Sequence, residues 1–443
     1  MSRLLKKPAA VFLVFTFVML ALVAGLRAEE LPPVVTGDIA AGIEKHIDEQ
    51  IARGGGYFTL EFEGKTLQLE LVRVHLEYLA TLGPRSHFAC VDMASSDGQF
   101  YDVDFFLEGD PGAMTVTETT VHKLNGRPYY LWEQDKSERW VRSRVENADN
   151  KLLGVVSGTD QFEFKYKATV PPLDSSARCW LPLISSDAFQ TVTLRSINVP
   201  GNWRTLVDET HGNRVIYLEL EPYDSEREVE IVYDVVRLEK SAYPGDPSEA
   251  LAAMKPERMV PSDSTIIADA TRVVAGRESD LMKARALYDF VMDQMQYKKF
   301  GEGWGQGDAV FACNSLYGNC TDYHAYFIGL ARAVGIPARF AIGASIPSTR
   351  NEGGTDGYHC WAEFYADGKW WPVDVSEADK FSALSMYFFG HHPANRIEMS
   401  HGRDLVLDPG PKSGPINFLA YPILEVDEQP RRMATQFLFT RQG

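Results

Sequence analysis

The sequence predicts a multidomain α+β chain, and three observations carry that expectation. Its 443 residues exceed what one ordinary core organises, so two or three domains are expected. The period of the apolar pattern changes along the chain: one helix with a meander of strands, then strands alone, then helices alternating with strands. Clusters of Gly, Pro, Asn and Ser fall where those changes occur. The expected domains are a small α+β domain of unassigned role at 36–145, a β-sandwich-like domain at 155–240 and a larger α+β domain at 263–425. A hydrophobic content of 45% and a charged content of 24% suit folded globular domains, so no long disordered tract is expected.

The first element reads as a targeting segment. Arg3, Lys6 and Lys7 precede an apolar run over 9–26, and Ala28 ends a small-residue site before Glu29. Residues 1–28 are thus expected to be a signal peptide of a periplasmic or secreted protein, with an uncleaved membrane anchor as the alternative. Their removal takes away four basic residues and no acidic ones, moving the net charge from −17 to −21. Such a surface repels phosphate backbones and anionic lipids, which argues against nucleic acid and peripheral membrane partners. No later window is apolar and long enough to span a bilayer, so no span is expected once the signal is cleaved.

In the first domain, Ile39, Ile43, Ile47 and Ile51 share one helical face, with Asp38 as expected N-cap and Gly54 as stop. Strands are predicted at 57–63, 67–80, 87–92, 101–107, 114–121 and 128–132, separated by turns such as Ser96-Asp97-Gly98 and Asn125-Gly126. Their aromatic residues read as the buried face of a sheet rather than a ligand platform. The second block alternates at 162–170, 177–183, 191–198, 215–220 and 229–238, the pattern of a β-sandwich. A Pro-, Gly- and Ser-containing segment over 242–264 leads to the third block.

That block carries the chemistry. Leu281, Ala284, Leu287, Tyr288, Val291 and Met295 line a helix introduced by Ser279 or Asp280, and a Gly- and aromatic-rich loop over 300–317 leads to Cys320. Tyr323, Phe327, Leu330, Ala331 and Val334 share the face of a helix over 321–334, which Gly335 and Pro337 end. Cys320 therefore falls at or just before a helix start, where unpaired amides and the positive end of the dipole favour a thiolate. Gly318 is expected to let the backbone approach a bound carbonyl. The five cysteines lack the spacing of a disulfide framework or a zinc site. Their odd number leaves one thiol free if the others pair, and Cys320 is the expected free one.

After a strand over 338–346 and a Gly-rich loop over 347–357, the chain predicts a hairpin, 359–365 and 370–376, around a two-residue turn at Asp367-Gly368. Ala366 then pairs with Lys369, Trp361 lies opposite Asp374, and His359 and Asp374 become diagonal neighbours on one face. A thiol at a helix start, a histidine and a carboxylate that orients it are the nucleophile, base and orienter that acyl transfer needs.

The run Gly318-Asn319-Cys320-Thr321-Asp322-Tyr323, then Leu330 to Arg339, then His359-Cys360-Trp361-Ala362-Glu363-Phe364, then Trp371-Pro372-Val373-Asp374, resembles the core of the transglutaminase-like superfamily. The resemblance is specific over 310–380, extends over 265–425 and says nothing of 29–150. It implies a papain-like α+β catalytic domain of bacterial exported type, with Cys320, His359 and Asp374 as its catalytic triad. It also implies an oxyanion hole from the Cys320 backbone amide plus an upstream side chain, for which Trp304 and Asn314 are candidates. The implied activity is thiol-dependent amide chemistry through a thioacyl intermediate: cysteine-protease-like hydrolysis of a peptide or isopeptide bond, or acyl transfer to an amine. The implied partner is a protein or peptide substrate. The alternative is an inactive binding or scaffolding protein of the cell envelope. His324 is expected to pack beside the nucleophile, and Asp322 and Glu363 to tune the site or to serve as ordinary helix-start and strand polar groups. His391-His392 lack a further ligand at metal spacing and no calcium loop is present, so no metal and no cofactor are expected. The sequence leaves the oligomeric state open.

Overall fold

A computed structural model describes residues 33–76, 79–83, 85–134, 136, 140–145 and 154–442. The segment 1–28, read as a signal peptide, lies outside them. The fold is mixed α/β and strand-rich. The chain divides into two compact units, Met1–Met93 with Val103–Val121, and Ala94–Asp102 with His122–Gly443.

In the first unit, the helix Thr36–Arg53 buries Ile39, Ala40, Ile43 and Ile47. Its start differs from expectation. Val35 is the N-cap and Asp38 is the third helical residue, its carboxylate accepting the Val35 N–H at 3.0 Å. Asp38 acts as the reciprocal half of a capping box rather than as the cap. The strands Phe58–Phe62 and Lys65–Val74 pair antiparallel with Phe58 opposite Leu69. The predicted strand 67–80 stops at Val74, and Ala80–Gly83 forms a separate strand against Ser86–Ser95. Phe58 and Phe105 are buried with ring centroids 5.7 Å apart, so these aromatics fill a core and offer no exposed platform.

In the second unit, residues 155–240 supply strands to two five-stranded sheets. One runs Gln190–Asn198, Arg227–Leu238, Thr159–Val170, Ala434–Arg441, Glu352–Gly354; the other runs Asn202–Val207, Arg214–Leu220, Ala177–Pro182, Ile423–Val426, Gln429–Arg431. Thr159–Val170 alternates fully buried side chains with exposed or half-buried ones along its whole length, as a strand with one face on a core must. The chain's last strands therefore return to these sheets: Ala434–Arg441 pairs with Thr159–Val170, and Ile423–Val426 with Ala177–Pro182. Glu352–Gly354, inside the predicted loop 347–357, is also a strand of the first sheet.

The remaining elements position the site. Asp263, Ser279, Asp308 and Asn319 cap successive helices Ser264–Val273, Asp280–Gln294, Ala309–Ser315 and Cys320–Ala333 through side-chain oxygens. Cys320–Ala333 is buried on every side through Ala331, as the central helix of a core must be. It packs on a sheet ordered Tyr243–Pro244, Lys369–Val373, His359–Ala366, Ala338–Ser345, Arg396–His401. Asp367 and Gly368 take positive φ of 52° and 75°, the two-residue hairpin turn expected of Asp-Gly. The register is the predicted one, Ala366 with Lys369 through Ala362 with Val373. The second strand, predicted over 370–376, ends at Val373 because Asp374 opens a new helix, Val375–Lys380.

Among the described residues, no helix is long and apolar enough to cross a membrane.

Candidate active site

Cys320 is the first residue of its helix and is 2% exposed. The Asn319 side chain accepts the Thr321 N–H at 3.0 Å, and the Asp322 carboxylate accepts the Asn319 N–H at 2.9 Å. This reciprocal cap fixes the backbone on both sides of Cys320. Asp322 also accepts the N–H groups of Gly305 at 2.7 Å and Gly307 at 3.0 Å, so one carboxylate ties the preceding loop to the helix start. Burial pushes its pKa up to about 6 against the pull of those three donors.

Gly318 has a different purpose from the one expected. A Cβ there would lie 2.3 Å from the Asp322 carboxylate, so glycine makes room for the cap. Gly318→Ala is expected to displace Asp322, lowering stability by about 1–3 kcal/mol in denaturant melts. The same change is expected to slow alkylation of Cys320.

His359 and Cys360 act on the Cys320 thiol, and both lower its pKa. His359 Nε2 lies 2.7 Å from Asp374 Oδ2. Asp374 is fully buried. Its carboxylate receives Arg396 Nη2 at 2.5 Å, and the Ser376 hydroxyl and Glu377 N–H at 3.0 Å each. It is thus at once the orienter of the histidine, the partner of a buried arginine and the N-cap of Val375–Lys380.

The charges support one another. Burial opposes ionisation of Asp374, yet the charges of His359 and Arg396 hold its pKa well below the usual carboxylate range. Burial opposes the His359 imidazolium too, but Asp374 and the bond to Cys320 raise its pKa to about 9. Burial likewise opposes a Cys320 thiolate, but hydrogen bonds from Cys360 and His359 and the charge of His359 keep the thiol well below its ordinary pKa. These directions favour a thiolate on Cys320 and an imidazolium on His359 beside a buried carboxylate.

His324 packs beside Cys320 as expected and has a defined task. Nδ1 is 2.7 Å from the Cys320 carbonyl, and Nε2 accepts the Val375 N–H at 3.2 Å. One nitrogen therefore donates and the other accepts, the pattern of a neutral ring, and burial lowers its pKa accordingly. It links the start of the Cys320 helix to the start of the helix that Asp374 caps. Glu363 faces a different cluster, with Lys240 Nζ at 2.9 Å, Tyr243 Oη at 2.8 Å and Arg339 Nε at 2.9 Å.

Trp304 is half-buried in the loop held by Asp322, while Asn314 is exposed on the helix Ala309–Ser315. The tyrosines Tyr297 and Tyr358, which sequence reasoning missed, sit in the electrostatic reach of Cys320. Burial first, then the Cys320 charge, raises the pKa of both. The Tyr358 hydroxyl also accepts from Asn319 Nδ2 at 2.9 Å. Tyr358 immediately precedes His359, and that adjacency was the available signal. Arg396, also missed, had no local signal, because its partner lies in another part of the chain. His391 and His392 lie in a short strand; His392 bonds the Val373 carbonyl at 3.1 Å, and burial lowers the pKa of both rings.

Residues 268–375 match the Transglutaminase-like superfamily, and this span holds Cys320, His359 and Asp374. The chain thus carries a transglutaminase-like core. An uncharacterized protein of Haemophilus influenzae is 26% identical over 320 residues, 61% of this chain and 86% of that protein. Two solved structures are also similar. One is a proposed cysteine protease from Cytophaga hutchinsonii, at 15% identity and a TM-score of 0.46, over 65% of this chain and 99% of that one. The other is the periplasmic domain of TgpA from Pseudomonas aeruginosa, at 15% identity and a TM-score of 0.29, over 58% of this chain and 85% of that one.

Proposed function

We propose that this protein is an exported, thiol-dependent amide hydrolase or acyltransferase whose chemistry resides in residues 263–425, with Cys320 as nucleophile, His359 as acid–base and Asp374 as orienter. The observation that carries this reading is the buried His359–Asp374 hydrogen bond at 2.7 Å, with Cys320 buried at its helix start and its thiol pKa lowered by His359. The thiolate attacks the amide carbonyl and forms the C–S bond. His359 delivers its proton to the leaving amine as the C–N bond breaks, leaving a thioester on Cys320. His359, now neutral, takes a proton from water, which attacks the thioester and regenerates the thiolate. An amine in place of water gives transfer, and hydrolysis is favoured where water far outnumbers amines.

For the developing oxyanion, the proposed donors are the Cys320 backbone N–H and Trp304. Trp304 adjoins Gly305, whose N–H Asp322 holds beside the helix start. Asn314 faces solvent and has no part in this arrangement.

A mild electrophile such as iodoacetamide is expected to label Cys320 ahead of Cys90, Cys179, Cys313 and Cys360, read by peptide mass spectrometry. Equal labelling of all accessible thiols would instead favour the inactive scaffold. A glutamine-containing peptide supplied with a labelled amine then separates the reactions, since incorporation of the amine marks transfer and release of free carboxylate marks hydrolysis.

A further inference from the structure

The loop that carries Trp304 is held from two sides, and only one of them belongs to the helix of Cys320. On that side Asp322 accepts the N–H groups of Gly305 and Gly307. On the other side the Gln306 carbonyl accepts Arg403 Nη2 at 3.1 Å and Asn417 Nδ2 at 2.7 Å. The peptide unit between Gln306 and Gly307 is thus gripped at both ends, its N–H by one clamp and its carbonyl by the other. Arg403 and Asn417 also lock each other, since Asn417 Oδ1 accepts Arg403 Nε at 3.0 Å and Nη2 at 2.6 Å. Gly307 takes a φ of 62°, and a Cβ there would lie 2.9 Å from Arg403 Nη2, so glycine permits the close approach.

Arg403 is 2% exposed, yet its hydrogen bonds go to neutral oxygens. A buried cation bonded to no carboxylate is costly, so this contact is a poor device for stability alone. The clamp is mounted on the β-sandwich sheets. Leu405 and Ile416 bridge antiparallel through N–H···O bonds of 2.8 and 2.9 Å, which brings Arg403 and Asn417 side by side. Leu405, Ile416 and Leu419 share a core with Trp180 and Tyr217 of the strands Ala177–Pro182 and Arg214–Leu220. His211 Nε2 donates to the Arg403 carbonyl at 3.0 Å. Both clamp residues lie beyond 268–375, the span that matches the superfamily.

We propose that Arg403 and Asn417 are positioning residues for acyl transfer: they fix the loop over 304–307 as a wall of the oxyanion site, and through them the β-sandwich takes part in catalysis. The inference rests on the reading of Cys320 as nucleophile with its oxyanion beside this loop. Their effect falls on the step that builds negative charge on oxygen, and leaves the reactivity of the thiolate to His359.

Two reagents separate those effects in the full chain. Iodoacetamide alkylates the thiolate without forming an oxyanion. With p-nitrophenyl acetate the thiolate adds to the carbonyl, a tetrahedral oxyanion forms, and the C–O bond then breaks to release p-nitrophenolate. Arg403→Met removes the guanidinium. Asn417→Asp keeps the oxygen that Arg403 grips and replaces the amide donor with an oxygen that repels the Gln306 carbonyl. Both variants are expected to acylate Cys320 roughly 10–10²-fold more slowly. Iodoacetamide labelling of Cys320 should stay at the wild-type rate, and backbone amide exchange over 303–308 should quicken. Asn417 is half-buried, so its variant keeps the test decisive even where Arg403→Met fails to fold. Acylation of Asn417→Asp at the wild-type rate overturns the proposal. So does equal slowing by both reagents, which marks a role in folding or thiol activation instead. A wild-type Cys320 that labels no faster than the other cysteines points against the nucleophile assignment, so the two failures are distinct.

Discussion

His359→Ala is expected to abolish the selective alkylation of Cys320 at neutral pH and to lower amide turnover by roughly 10²–10⁴-fold. Two contributions are lost together. The imidazolium holds the Cys320 thiol well below its ordinary pKa, by charge and by a hydrogen bond. It also carries the proton that the leaving amine must receive. Without it the thiolate forms only near or above the ordinary thiol range around 8.5.

The pH profile separates this from a folding defect. In the wild type the thiolate persists well below the ordinary thiol range, while His359 keeps its proton up to about 9. Alkylation is therefore expected to be already fast at pH values where an ordinary thiol is protonated and to rise again near pH 9, when loss of the imidazolium frees the thiolate from its counter-charge. Amide turnover has the opposite sign at that limb: it falls above about pH 9, because the acid for the leaving group is gone. His359→Ala should show a single rising alkylation limb in the alkaline range. A variant whose alkylation stays fast below the ordinary thiol range would exclude His359 as the partner of Cys320.

How much of this was legible in the sequence follows from the range of the interactions. The hairpin was legible because Asp367-Gly368 dictates a two-residue turn, and the turn dictates which residues face each other. The helix start at Cys320 was legible because Asn319 and Asp322 are local capping residues and Gly335-Pro337 a local stop. What escaped was non-local. Ala434–Arg441 looks like any short β-rich tail until its partner, Thr159–Val170, is known. Arg396 reaches Asp374 only because the strand Arg396–His401 lies in the same sheet as the hairpin. Asp374 was legible as a member of a pair with His359, but not as the N-cap that ends its strand. Gly318 was noticed for the wrong reason, since the space it leaves is filled by a side chain four residues on rather than by a ligand.

Because Asp374 fills three roles, removing it is expected to cost stability as well as activity. Asp374→Ala strips the counter-charge from Arg396, whose side chain is 1% exposed, and leaves a buried cation unpaired. Such breaks destabilise by about 3–5 kcal/mol, which chemical denaturation at pH 7 measures directly. Asp374→Asn keeps an N-cap oxygen for Glu377 and the shape of the site, so its folding cost should be smaller. It still loses the charge that raises the His359 pKa, and its activity is expected to drop toward the roughly 10⁴-fold seen when the carboxylate of a Ser-His-Asp triad is amidated. The pH dependence has a fixed sign. The folded-state pKa of Asp374 is depressed, so its contribution is present in full above the unfolded value near 3.9 and is lost as pH falls below it. The stability gap between wild type and Asp374→Ala should therefore narrow on acidification below about pH 4. Arg396→Met removes the stranded cation, so the double variant should be more stable than the sum of the two single losses implies, by about 1–3 kcal/mol of coupling. Strict additivity would mean that the Arg396–Asp374 contact carries no coupling, and the loss in Asp374→Ala would then have to come from the cap alone.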